Sequence, residues 1–98
     1  MAYKITTSWT RPSLDVNFFK APAGLKQLNV PYLQSGDLIM EFELSTDGKM
    51  LTQTSTFKTK EVLDAFVADT ARIAYMQERT NYNDANGIVI AGRTETEV

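Results

Sequence analysis

Glu41 and Glu43 stand two apart in an alternating stretch. On a strand that spacing puts both carboxylates on one face, roughly 6.5–7 Å apart, and Asp37 continues the row. Paired carboxylates do acid–base chemistry or hold a hard cation; the plainer account is a solvated strand face. The run Asn83-Asp84-Ala85-Asn86-Gly87 has the outline of a calcium loop. With Gly87 in the sixth position, however, Tyr82 falls in the first and Arg93 in the twelfth, and neither carries a carboxylate. A helix stop and turn is the better reading. Arg72 and Arg79 share one side of a helix, with Tyr75 four residues before Arg79. They can hold an anion, or Arg72 can pair with Asp69 on an exposed surface for a few tenths of a kcal/mol. Trp9, Phe18, Phe19 and Tyr32 gather around a break at residues 10–13, with Arg11 and Asn17 at its rim. They can line a pocket, pack as a core beneath the loop, or anchor an interface.

The missing residue types narrow the chemistry further. The 98 residues include no His and no Cys. That removes disulfides, thiol nucleophiles, Ser-His-Asp and Cys-His arrangements, and the usual ligation of zinc, iron–sulfur clusters and haem. No Walker loop, Gly-x-Gly-x-x-Gly or Gly-x-Ser-x-Gly occurs. Ten Lys and Arg against twelve Asp and Glu leave a net charge of −2, and the basic residues are scattered. Nothing there draws the chain to nucleic acid, which needs clustered cations. The apolar runs are too short for a membrane span, and the opening MAYKITTSWT alternates where a secretion signal would be continuously apolar. A cytoplasmic setting and no cofactor are the expectation.

The elements that must position these residues follow from periodicity. Residues 2–9 alternate, with Tyr3, Ile5, Thr7 and Trp9 on one face of a strand. Thr10-Arg11-Pro12-Ser13 breaks it. A short helix from Ser13 to Lys20 is predicted, stopped by Pro22 and Gly24, with another turn or two before Pro31. After Ser35-Gly36 a second strand sets Leu38, Met40, Phe42 and Leu44 against Asp37, Ile39, Glu41 and Glu43. Asp47-Gly48 turns it into a Thr-rich partner, Met50–Phe57. Residues 60–80 take helical period behind Thr59 as N-cap, with Leu63, Phe66, Val67, Thr70, Ile73, Ala74 and Gln77 as one stripe. Ile88–Ala91 forms a short last strand. Residues 1–92 thus make one α+β domain, and 93–98 a polar tail.

The order β-α-β-β-α-β predicts a ferredoxin-like arrangement, an antiparallel sheet with its helices on one face. Ile39, Leu51 and Phe57 are the expected interface residues on the other face, so a homo-oligomer, most simply a dimer, is expected. Gly36-Asp37-Leu38, the Asp47-Gly48 hairpin and the following helix make residues 36–92 resemble the second half of dimeric α+β barrel proteins, such as the antibiotic-biosynthesis monooxygenase-like group. Where that group has Trp-x-Ser, this chain has Phe57-Lys58-Thr59, and the helix lacks the group's common His. The resemblance implies a cofactor-independent monooxygenase or small-ligand-binding protein, with Trp9, Asn17, Arg72 and Tyr75 as its site. The stretch SWTRPSLDVNFF, the Thr-rich hairpin and YNDANGI are also similar to small proteins of tailed phages that infect marine cyanobacteria. That resemblance implies a phage-encoded protein, located in the host cytoplasm or associated with the virion. The first expectation is a non-enzymatic, self-associating structural or interaction protein, with no metal, nucleic acid or membrane partner; the monooxygenase or ligand-binding reading is its alternative.

Overall fold

The computed structural model describes residues 1–98. Its elements are β1 (Tyr3–Thr10), α1 (Ala23–Ser35), β2 (Leu38–Leu44), β3 (Met50–Phe57), α2 (Lys60–Ala68), α3 (Thr70–Asn86) and β4 (Val89–Glu97). The strands form one antiparallel sheet in the order β2-β3-β1-β4. The class is α+β, compatible with a ferredoxin-like fold.

Strand register settles which residues share a face. Tyr3, Ile5, Thr7 and Trp9 pair with Phe57, Ser55, Gln53 and Leu51, and Leu38, Met40, Phe42 and Leu44 fall opposite the same four residues on the other side. This face meets the helices. The core proper is Leu38, Phe57 and Leu63, with Tyr3, Ile5, Tyr32, Val62 and Phe66 packed around it. Tyr32 and Phe57 each meet Phe66 edge-on, at centroid distances of 5.2 and 4.9 Å. The opposite face carries hydroxyls and charges instead. Lys4, Thr6 and Ser8 lie beside Thr56, Thr54 and Thr52, and Ser8 Oγ lies 2.8 Å from Thr52 Oγ1. Of the three expected interface residues, only Ile39 stands on this open face. Phe57 is 1% exposed in the core, and Leu51 faces the helices, because both share the phase of Ser55 and Gln53 rather than that of the threonines.

Three further departures have local causes. Residues 13–20 form turns and extended chain, not a helix, whereas α1 runs thirteen residues from Pro22 as N-cap through Pro31 to Gly36. Pro22 precedes the first turn, where a missing N–H costs nothing, and Pro31 forfeits one intrahelical bond on an exposed position. Gly36, at φ 80°, closes the helix in the left-handed region open to glycine. The stripe expected across 60–80 is broken at Asp69. That residue is extended, and its carboxylate accepts from the backbone N–H groups of Ala71 and Arg72, starting a new helix in a new phase. Finally, the expected tail is strand: β4 pairs with β1 as far as Glu97 opposite Tyr3. Its polar sequence reflects an edge strand wet on both faces.

The β2–β3 turn is held by Asp47, whose Oδ1 accepts from Ser45 Oγ at 2.6 Å and from Lys49 N at 3.0 Å. These bonds, the Ser45 one foremost, hold the Asp47 carboxyl below its ordinary 3.8. Because the folded value is the depressed one, its stabilising contribution is complete above pH 3.8 and is lost as pH falls through the folded value. An NMR titration should place Asp47 below 3.8, and Ser45→Ala should move it back up. In the core, Phe57→Ala should cost about 3–5 kcal/mol in urea unfolding; a cost under about 1 kcal/mol would be at odds with the packing described.

Candidate functional site

At the end of the interior away from Leu38 and Phe57, helices and sheet do not close on one another. They enclose an open cleft of about 560 Å³, within the roughly 300–1,000 Å³ span of small-molecule sites. Trp9, Met40, Phe42, Leu51 and Gln53 form its floor on the sheet. Leu25, Lys26, Asn29, Val30 and Leu33 of α1 line one wall; Arg72, Met76, Arg79 and Asn83 of α3, with Phe66 of α2, line the other. Phe18, Phe19, Ala21 and Ile88 complete it. Phe42 points to the helix side yet is 61% exposed, since no helix covers that end of β2. The cleft exists because α3 turns Arg72, Met76, Arg79 and Asn83 inward, at helical spacing. Three of these four side chains are polar, and the space above the sheet stays unfilled.

Arg72 is only 4% exposed. Its Nη1 donates to Asn29 Oδ1 at 2.5 Å, and its guanidinium carbon stands 3.4 Å from the centroid of the Phe66 ring. Asn29 in turn points its amide nitrogen at Met40 Sδ, 3.9 Å away. Nε and Nη2 of Arg72 are buried with no hydrogen-bond partner. Burial lowers the guanidinium's pKa, partly offset by the charge of Asp69. The surface Arg72–Asp69 ion pair weighed above does not form. Asp69 caps α3 instead, and the ion pairs of the chain are Lys60–Asp64 and Arg93–Glu95. A cation in apolar surroundings without a carboxylate is costly. The face of Phe66 offsets that cost by about 2 kcal/mol, the upper range for a desolvated cation–π contact.

Arg79 lies seven residues along the same helix, about 10.5 Å by helical rise. Its guanidinium is 5.0 Å from the Trp9 ring centroid. Burial lowers its pKa, with Arg93 adding to the effect. The cleft thus has two arginines on one wall, each laid against an aromatic ring.

Of the four residues the barrel resemblance implies, the structure brings Trp9 and Arg72 together in the cleft. Asn17 lies outside the lining, its carbonyl accepting from Tyr82 Oη at 2.6 Å. Tyr75 also lies outside; its hydroxyl sits against Gly24, in the space a side chain there would need. Glu41 and Glu43 are on the open sheet face beside Thr54 and Thr52, and no cluster of acidic residues suited to a metal ion forms. Residues 83–86 continue α3, and Gly87 at φ 70° caps it. Asn29 had no place among the sequence candidates, although its spacing of four from Leu25 puts it on the buried side of a helix.

Comparison of the chain with protein-family models, with curated proteins and with solved structures gives no match in any of the three. The cleft's own chemistry therefore carries the functional reading. Its lining holds Lys26, Arg72 and Arg79 but no Asp, Glu, Ser, Thr or Tyr.

Arg72→Met should leave urea-unfolding stability unchanged to within about 1 kcal/mol, or raise it, because an unpaired buried charge is exchanged for an apolar chain of similar reach. A loss of about 3–5 kcal/mol would instead mark Arg72 as half of a structural pair.

Proposed function

We propose that this protein binds a small, largely apolar molecule in the cleft between its helices and its sheet. The observation that carries the reading is the lining itself: aromatic and aliphatic over most of its surface, open at the β2 side, and furnished with a few convergent polar groups. Binding fits this lining better than reaction does, since its titratable side chains are Lys26, Arg72 and Arg79 alone. A general base would have to be a lysine or arginine, and Arg holds its proton throughout the working pH range. The monooxygenase reading loses Asn17 and Tyr75, which are not among the residues lining the cleft.

Self-association is the second reading, and the exposed side of β2 favours it. Phe42 and Leu44 are 61% and 52% exposed on an edge strand with unpaired backbone groups. A second copy added along that edge would cover both. The open face offers less to a face-to-face dimeric barrel, because threonines, Ser8, Lys4, Glu41 and Glu43 occupy most of it.

Trp9 is the only tryptophan and lies in the cleft floor. Titration with Nile red, a neutral apolar dye, should give one site per chain with energy transfer from Trp9. Ala21→Phe, which puts bulk into the cleft, should weaken binding by at least about tenfold, or about 1.4 kcal/mol. Absence of dye binding, or binding indifferent to Ala21→Phe, would refute the ligand-binding reading. Light scattering across the micromolar range tests self-association, and a monomer throughout would count against it.

A further inference from the structure

We infer that the ligand of this cleft is a monocarboxylic acid with an apolar body, its carboxylate received by the free edge of Arg72. This rests on the ligand-binding reading and adds the chemical class of the ligand. Three observations lead to it. First, Arg72 is buried and lines the cleft, yet no acidic side chain pairs with it. Second, the two nitrogens without partners are Nε and Nη2. These lie on the same edge of the guanidinium, and their N–H bonds run parallel, the spacing that matches the two oxygens of a planar carboxylate. Third, the remaining contacts of the group leave that edge free while fixing its plane: Nη1 is committed to Asn29, and one face lies on Phe66. The donor pair is therefore oriented before any acid arrives, which lowers the ordering cost of binding.

Charge selects among anions. One guanidinium balances one negative charge, so a carboxylate leaves the apolar interior neutral at that point. A phosphate monoester near its second ionisation brings about −1.5 to −2 charges and leaves the excess buried. Arg79, two helical turns along α3, is laid against Trp9 instead of Phe66. The Nε/Nη2 edge is shut off from water, so an acid reaches it only as neighbouring side chains give way. Met40 and Met76 are among the lining residues of the cleft, and unbranched methionines yield readily.

The test uses two matched pairs against the whole chain: dodecanoate with 1-dodecanol, and 2-naphthoate with 2-naphthamide. Each is read by displacement of Nile red and by Trp9 fluorescence, and dodecyl phosphate serves as a further arm. At least one acid should bind about tenfold or more tightly than its neutral partner. Arg72→Met should abolish that preference, the acid falling to the affinity of its neutral partner. Arg72→Lys, which keeps the charge but loses the fork, should retain only part of it, and it serves in place of Arg72→Met should that variant fail to fold. Dye binding without any preference for acid would overturn the carboxylate inference and spare the ligand-binding reading. A preference that survives Arg72→Met, or dodecyl phosphate binding as tightly as dodecanoate, would overturn it as well. Failure of the dye itself to bind would remove both.

Discussion

The guanidinium of Arg72 is the point at which the three helices are tied together. It arises from α3, rests on Phe66 of α2 and donates to Asn29 of α1. Its hydrogen bond and its aromatic contact go to two different helices, so all three meet at one planar group. Its inward position follows from the break at Asp69: the cap restarts the helix one residue later, and the fresh phase turns residue 72 toward the sheet. One carboxylate bonded to two backbone N–H groups thereby decides the character of the interior some distance from it.

The interior is divided as a result. Around Leu38, Phe57 and Leu63 the packing is that of an ordinary core, with aromatic rings meeting edge-on. Toward Trp9 and Phe42 the same sheet face lies under open space. The two ends use the same strands and the same alternation, and they differ in what α2 and α3 turn toward the sheet: Leu63 and Phe66 at one end, Met76, Arg79 and Asn83 at the other. Packed core and open cleft thus occupy separate stretches of one layer.

Period-two alternation made the strands legible. The faces of residues 3–9 and 38–44 and the Asp47-Gly48 turn are as the sequence indicates, because each depends on neighbours in the chain. What could not be read depends on partners far away in sequence. Ile73 and Ala74 belong to a helical stripe as well spaced as Leu63 and Phe66, and only the Asp69 cap removes them from it. Residues 93–97 have the composition of a tail and become strand because β1 offers an unpaired edge. Alternation alone sets Leu51 and Phe57 on the open face, and their register with Trp9 and Tyr3 puts them on the covered one. Arg72 reads from the sequence as a surface ion pair because arginine is seldom buried; its burial depends on Asn29 from α1 and Phe66 from α2.

The strand order has a consequence for how the chain reaches this structure. β1 is central in the sheet, yet its neighbours are residues 50–57 and 89–97. During synthesis it emerges first and must wait for both, with Ile5 and Trp9 uncovered in the meantime. Only the β2–β3 hairpin can form from local contacts. Assembly of the sheet is therefore governed by loop closures spanning most of the chain, the circumstance that slows folding and lengthens the exposure of unpaired strand edges. Trp9, in the cleft floor, acquires its final surroundings only once both partner strands are in place.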